Sequence, residues 1–329
     1  MGNVKISGLG KALPAYNMTN EDLARYVDTS DEWISSRTGI KSRYIAETET
    51  TTELAIRASQ EAIKHAGLEG QDIDMIIVAT ISPDYVMPST ACLVQEAIGA
   101  THATAFDIAA ACSGFIYGAR IAKEVLTGNV KHVLVVGAEV LSKTVDWQDR
   151  STCVLFGDGA GAAVFSQNHK NNIISLYTGS DGRGGKVLTL PGRVHQNCLT
   201  TLPQVPLEDT QQTATDVLSM EGREVYRFAT TVVPKSILEV VEASPYEVDN
   251  IDWFVLHQAN ERIIDSVAKK LGIPKERFFK NLDTHGNTSS ASIPMALYDL
   301  KDTLKSGDKI ILSGFGGGLT WGSMLMVWE

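Results

Sequence analysis

The chain has 329 residues, a net charge of -10 and a composition that is 43% hydrophobic and 21% charged. That length exceeds what a single core keeps filling, so two domains or one large layered fold is expected. An acidic surface repels polyanions and no apolar run reaches the roughly 18 residues of a membrane span, so neither nucleic-acid binding nor a membrane-crossing role is expected.

MGNVKISGLGKALP lacks a basic flank followed by an unbroken apolar stretch, which predicts a cytoplasmic chain. Its VKISGLG (4–10) reads as a short strand and 51–66 as a helix. Then come an apolar strand IDMIIVAT (73–80), a helix at 89–98, a strand running into FDIAAACSGF (106–115), a helix at 113–127 and a strand VKHVLVVGAE (130–139). Strands with almost no alternation predict a sheet covered on both faces by helices. FGDGAGAAVF (156–165) resembles a dinucleotide fingerprint only superficially, because it leads into a strand and not a helix, so NAD binding is not expected.

The second half repeats this order: a helix at 219–243, a strand IDWFVLHQ (251–258), a helix at 260–271, FFKNLDTHGNTSS (278–290), a helix to about 304 and KIILSGFGGG (309–318). The expected domains are 1–172 and 173–329, one unit used twice. Aligning IDWFVLHQ on IDMIIVAT places His257 opposite Ala79. Cys112 lies 39 residues after Ile73 and Asn287 lies 36 after Ile251, so the two are expected at equivalent strand-to-helix junctions, with His257 ending a neighbouring strand. Strand ends of this kind are where open α/β sheets bind ligands.

Four cysteines without CxxC or regular spacing predict neither a disulfide framework nor a zinc site. Cys112 stands out. Ala109, Ala110 and Ala111 leave clearance around its sulfur, and the start of a helix favours an anion, so a lowered thiol pKa is expected there. Cys92, in the apolar helix STACLVQEAI, and Cys153, in a buried strand TCVLF, read as structural, and Cys198 lies in a polar stretch. By itself His257 reads as a satisfied structural histidine and Asn287 as a turn or cap residue; their company with Cys112 favours a site. His285 is a second, less rigidly aimed base. The glycines of SGFGGGLTWGS sacrifice stability for close approach, and their N–H groups are candidates for half of an oxyanion hole with that of Cys112.

AAACSGF, HQAN, HGNTSSASIP and GFGGGLTWG, with DTSDEWISSRTGI and DRSTCVLFGDGAGA, resemble the β-ketoacyl-acyl-carrier-protein synthase III family over essentially the whole chain. The resemblance implies an α/β thiolase fold of five αβαβα layers with two pseudo-twofold related halves, usually a homodimer. It implies acylation of Cys112 by a short acyl-CoA, then decarboxylative condensation with malonyl-acyl-carrier protein served by His257 and Asn287. It assigns the N–H groups of Cys112 and Gly317 to the thioester oxygen and sets Phe315 beside the sulfur. Trp33, Arg37 and Arg150 match positions that handle CoA, and Ala259, Asn260 and Arg262 the channel that grips its pantetheine arm. CoA thioester is then a substrate and no resident cofactor or metal is expected. Arg262, Lys269 and Lys270 on one helix and Arg223 and Arg227 on another are candidates for docking the acidic carrier protein.

Two departures from the family pattern stand out. Ser290 replaces an alanine common in NTSAAS, and Met87 stands where relatives carry a phenylalanine that reaches the partner subunit's acyl pocket. Methionine adapts its shape, so longer or branched primers are expected to fit. A hydroxymethylglutaryl-CoA synthase needs an acidic base that IDMIIVAT does not offer before Asp84. A papain-like protease fits the order Cys112, His257, Asn287 but not the local sequence.

Overall fold

The computed structural model describes residues 3–192 and 217–329; Cys198 lies outside them. The chain opens with β1 (Val4–Ala12), then β2 (Tyr16–Thr19), α1 (Asn20–Leu23), α2 (Asp31–Thr38) and β3 (Ser42–Ile45). There follow α3 (Thr51–His65), β4 (Met75–Ala79), α4 (Thr90–Ile98), β5 (Thr104–Ile108), α5 (Gly114–Val125), β6 (His132–Glu139) and β7 (Gly159–Gln167). Next come β8 (Ile173–Ser180), the short pair β9 (Leu188–Thr189) and β10 (Ser219–Met220), α6 (Gly222–Glu242), β11 (Trp253–Leu256) and α7 (Glu261–Leu271). The chain closes with α8 (Leu282–His285), α9 (Ser292–Leu300), β12 (Lys309–Gly316) and β13 (Thr320–Val327).

Two sheets result. One has strand order β1-β7-β6-β4-β5, the other β11-β12-β13-β8, extended beyond β11 by a single parallel bridge from Phe254 to Phe278. Reading both from the parallel edge, β5-β4-β6-β7-β1 matches the Phe278 segment followed by β11-β12-β13-β8. FFKNLDTHGNTSS therefore contributes one bridge and the short α8 in place of the expected strand.

Apolar periodicity sets the layers. On α3 the buried Leu54, Ala55, Ala58 and Ala62 recur at helical spacing and pack against Ile76, Val78 and Val136, so α3 covers one face of the first sheet. Ala229, Val233, Ile237 and Val240 of α6 and Ile263, Ile264 and Val267 of α7 cover the outer face of the second. Between the sheets, Phe115, Ile116 and Ala119 of α5 and Ile293, Ala296 and Leu297 of α9 meet Val133, Val135, Ile310, Leu312 and Met324. The stack is helix, sheet, helix, sheet, helix, and its central helices are sandwiched between the two sheets, with Arg120 and Glu124 of α5 reaching solvent.

Each central helix is entered through the same device. A 3-10 turn over Ala111–Ser113 runs into α5, and one over Ser289–Ala291 runs into α9. Both begin on a non-glycine residue in the left-handed region, Ala111 at φ 44 and Ser289 at φ 48, a conformation costing about 1–3 kcal/mol. Thirty-nine residues from Ile73 reach Cys112, and the same count from Ile251 reaches Ser290. Ser290, not Asn287, thus occupies the seat that corresponds to Cys112, and Asn287 sits three residues before it. The expected equivalence failed because α8 and a loop stand where a strand was read. Glycines repeat the correspondence: a Cβ on Gly314 would lie 3.1 Å from the Cys112 carbonyl, and one on Gly137 would lie 2.2 Å from that of Ser290.

Candidate active site

Cys112 enters the site from the turn before α5, and the end of β12 forms its floor. A Cβ on Gly316 would lie 2.6 Å from the Cys112 nitrogen, so only glycine allows the two backbones to touch. Ser113 Oγ is 2.8 Å from Ala110 O and 2.9 Å from Thr320 Oγ1, which ties the 317–320 turn to the 110–113 segment. Gly317, in that turn, lines the same cavity, and among the described residues its N–H has no protein acceptor.

His257 follows β11 directly. Its backbone N–H donates to Ser313 O at 2.8 Å, its Nδ1 is 2.7 Å from Ser292 Oγ, and its ring meets Phe315 edge-on with centroids 5.1 Å apart. Asn287 is fixed by its backbone, donating to Leu155 O at 2.8 Å and accepting from Gly157 N at 3.0 Å. Its Oδ1 accepts from Ser289 N at 2.9 Å, which leaves Nδ2 as the free donor of the amide. FGDG is therefore a brace: Gly157 holds Asn287, and Asp158 receives Ala46 N and Ser142 N while its own N–H donates to Tyr44 O.

Burial determines the protonation states. The Cys112 thiol is pushed up to about 12, chiefly by desolvation and against a hydrogen bond from Ser289; the Ser289 hydroxyl meets no acceptor of ordinary geometry. Burial alone pushes the His257 imidazole down to about 3. The resting pair is a thiol beside a neutral imidazole. The direction is opposite to the lowered thiol pKa expected from the helix start: Cys112 is 7% exposed, and desolvation is the largest influence on its thiol.

A cavity of about 730 Å³ joins these groups to the surface. Cys112, His257, Asn287, Phe315 and Gly317 line it together with Ala259, Asn260, Trp33, Arg37 and Arg150. The last three come from α2 and the 149–156 loop. Ser30 caps α2 and Gly39 ends it at φ 84, a pair of signals passed over in the sequence reading. The guanidinium carbons of Arg37 and Arg150 lie 4.6 and 4.7 Å from the Trp33 ring centroid. Fully buried Arg43 holds the loop behind them, donating to Val154 O and Asn20 Oδ1 at 2.8 Å each.

Other expected residues lie elsewhere. Met87 is 87% exposed and does not line the cavity, and neither does His285, whose Nδ1 is 2.9 Å from Asn281 O. Arg262 is anchored to Ser36 O at 2.8 Å. Lys270 donates to Thr230 O at 2.7 Å and Arg227 pairs with Glu224, while Arg223 and Lys269 are exposed. Cys92 is exposed on α4, not buried, and Cys153 sits in a turn, not a strand. The sequence reading missed Ser292 and Glu139. Ser292 was visible as a serine on the first turn of a helix otherwise apolar on its buried face.

A five-layer fold with a cysteine at one central helix and a histidine and asparagine converging on it defines a condensing acyltransferase of the thiolase type. A family model described as 3-Oxoacyl-[acyl-carrier-protein (ACP)] synthase III matches residues 106–182, and its C-terminal counterpart matches 241–328. The chain is 48% identical to the beta-ketoacyl-[acyl-carrier-protein] synthase III of Clostridium novyi over 100% of both chains. It is 49% identical to that of Clostridium acetobutylicum, covering 100% of this chain and 99% of the relative. The crystal structure of 3-oxoacyl-[acyl-carrier-protein] synthase III from Aquifex aeolicus superposes with a TM-score of 0.90 at 43% identity, over 99% of this chain and 100% of that one. The chain belongs to the β-ketoacyl-[acyl-carrier-protein] synthase III family.

Proposed function

We propose that the chain joins an acyl-CoA primer to malonyl-acyl-carrier protein through an acyl-Cys112 intermediate, giving 3-ketoacyl-acyl-carrier protein, CoA and CO2. The observation that carries this reading is the cavity that links the Trp33, Arg37 and Arg150 cluster to Cys112, His257 and Asn287. CoA thioester enters as substrate, its nucleotide gripped at Trp33 by stacking and charge and its pantetheine arm passing Ala259 and Asn260. No resident cofactor takes part.

In the first half-reaction Cys112 Sγ attacks the thioester carbon, its proton passes to the neutral His257 ring, and the departing CoA sulfur takes that proton. The N–H groups of Cys112 and Gly317 receive the oxyanion. In the second, malonyl-acyl-carrier protein loses CO2. The thioester enolate that forms is held by donors from His257 and Asn287 Nδ2 and attacks the acyl carbon, and Cys112 leaves as thiolate and is reprotonated. Neutral donors suit an enolate because a carboxylate would repel it.

The cations of α6 and α7, Arg223, Arg227, Arg262, Lys269 and Lys270, serve as the dock for the acidic carrier protein. The chain works as a homodimer in which exposed Tyr85, Val86 and Met87 meet the partner subunit, with Met87 shaping its acyl pocket. Intact-protein mass spectrometry after acetyl-CoA treatment tests the first step: one acetyl group is expected, and none on Cys112→Ala. Acetylation that survives this substitution overturns the assignment.

A further inference from the structure

Glu139 is the last residue of β6, completely buried, and among the described residues no cation pairs with it. Its Oε2 faces Ser82 Oγ at 2.6 Å, Ile81 N at 3.1 Å and Thr80 Oγ1 at 3.2 Å. Both hydroxyl protons are free to point there, because Ser82 Oγ accepts from Val140 N and Thr80 Oγ1 accepts from Ser82 N. Its Oε1 faces Ser290 Oγ at 2.9 Å, with Ile81 N at 3.3 Å. Ser290 Oγ is also 2.8 Å from Ala79 O.

Proton counting distinguishes the two charge states. Ala79 O only accepts, and the Ser290 hydroxyl has one proton. If that proton goes to Ala79 O, the contact between Oε1 and Ser290 Oγ needs a proton from the carboxyl. The chain Oε1–H to Ser290 Oγ–H to Ala79 O then satisfies every contact, whereas an ionised carboxylate leaves one of the two short contacts without a proton. We infer that Glu139 is a neutral acid in the working enzyme, kept so by Ser290 as acceptor of its proton, and that it serves as a positioning residue behind Cys112.

The surroundings support this. Desolvation pushes the Glu139 carboxyl up despite its donors, and a charge on Glu139 pushes the Cys112 thiol up in turn. Thr80, Ile81 and Ser289 line the cavity with Glu139 one layer behind. On the cavity side the ionisable groups are Cys112 and His257, with Arg37, Arg150 and Tyr226 also lining the cavity. Asp158, next to Glu139's pairing partner Gly159 on β7, is turned to Ala46 and Ser142; Asp84, beyond β4, is turned to Thr51 and Thr52. The turn before α9 brings only Ser289 and Ser290. A fixed negative charge at Glu139 would oppose both the Cys112 thiolate and the enolate, and a held proton removes it.

The inference rests on Cys112 as the acylated sulfur. Its test is the rate of Cys112 alkylation by iodoacetamide, followed against pH by mass of the Cys112-containing peptide so that exposed Cys92 does not contribute, in the wild type, Glu139→Gln, Ser290→Ala and the double variant. The amide mimics a neutral acid, its Nε2–H donating to Ser290 in place of the carboxyl O–H, so Glu139→Gln is expected to overlay the wild type. Ser290→Ala removes the acceptor, ionises Glu139 and lowers the rate at a given pH by roughly tenfold, one unit of thiol pKa. The double variant returns to the wild-type curve. An infrared band of a protonated carboxyl, present in the wild type at neutral pH and lost in Glu139→Gln, reads the same state without labelling. Faster alkylation of Glu139→Gln than of the wild type, or unchanged or faster alkylation of Ser290→Ala, overturns the inference. Acetylation that persists in Cys112→Ala overturns instead the reading on which it rests.

Discussion

His257 Nδ1 lies 2.7 Å from Ser292 Oγ, and that hydroxyl also faces Ser289 O at 2.8 Å. One proton serves two acceptors. Donated to Ser289 O, it makes Nδ1 the N–H and leaves Nε2 a lone pair, the form that takes the Cys112 proton; donated to Nδ1, it makes Nε2 a donor for an enolate. Ser292→Ala is expected to lower kcat for condensation roughly 10- to 100-fold with KM for acyl-CoA unchanged, as loss of an orienting partner does. Steady-state kinetics check this, and Ser292→Thr, which keeps the hydroxyl, is expected to recover most of the rate.

The imidazole of His257 also shapes stability against pH. Its folded value of about 3 lies below the ordinary 6.5, so the unfolded chain binds a proton that the folded one refuses, and stability falls as pH drops from 6.5 toward 3. Between pH 6.5 and 5 the loss from this group amounts to roughly 2 kcal/mol at about 1.4 kcal/mol per unit. Denaturant titrations of wild type and His257→Gln at the two pH values are expected to differ by that amount, the variant losing less.

Gly316→Ala places a methyl 2.6 Å from the Cys112 nitrogen, with Ala111 Cβ at 3.0 Å on the other side. Backbone, not a flexible side chain, has to move, and the N–H of Cys112 moves with it. Loss of one oxyanion donor costs about 100-fold or more in kcat. The expected signature is a kcat collapse in a protein that still folds, with iodoacetamide labelling of Cys112 retained.

Ser290→Cys in a Cys112→Ala background places a thiol in the matching turn at the start of the other central helix. Ser290 is 1% exposed and does not line the cavity. If a helix start sufficed for reactivity, this thiol would be alkylated; the expected outcome is no labelling at position 290 under conditions that fully modify Cys112 in the wild type, exposed Cys92 being read on its own peptide.

Trp33→Ala removes the surface on which Arg37 and Arg150 rest. A base stacked there is worth about 1–2 kcal/mol, so KM for acyl-CoA is expected to rise roughly tenfold with little change in kcat. Decarboxylative condensation of malonyl-acyl-carrier protein with an enzyme already acylated from a small thioester lacking the nucleotide is expected to be unaffected.

The sheets and central helices were legible because unbroken apolar runs such as IIVA and VLVV have few other homes, and the duplicated order fixed how they stack. Cys112, His257 and Asn287 were legible as residues that meet on one cavity, although Asn287 follows α8 and not a strand. Three features were not. The equivalence of Cys112 with Ser290 was hidden because the Phe278 segment makes one bridge only, so strand landmarks misled where a bare residue count would have succeeded. The neutral state of the thiol was hidden because a helix start is written in the sequence and desolvation is not. Glu139 was read as a strand end, since its four polar neighbours come from segments 57 or more residues away.

The pairing of Cys112 with Ser290 has a consequence for access. A frame with two identical halves would present the same residue at both turns, equally open to solvent. Here the two turns differ: that of Cys112 opens on the cavity, whereas that of Ser290 is closed over Glu139. A frame used twice thus offers only one of its two matching seats to whatever enters.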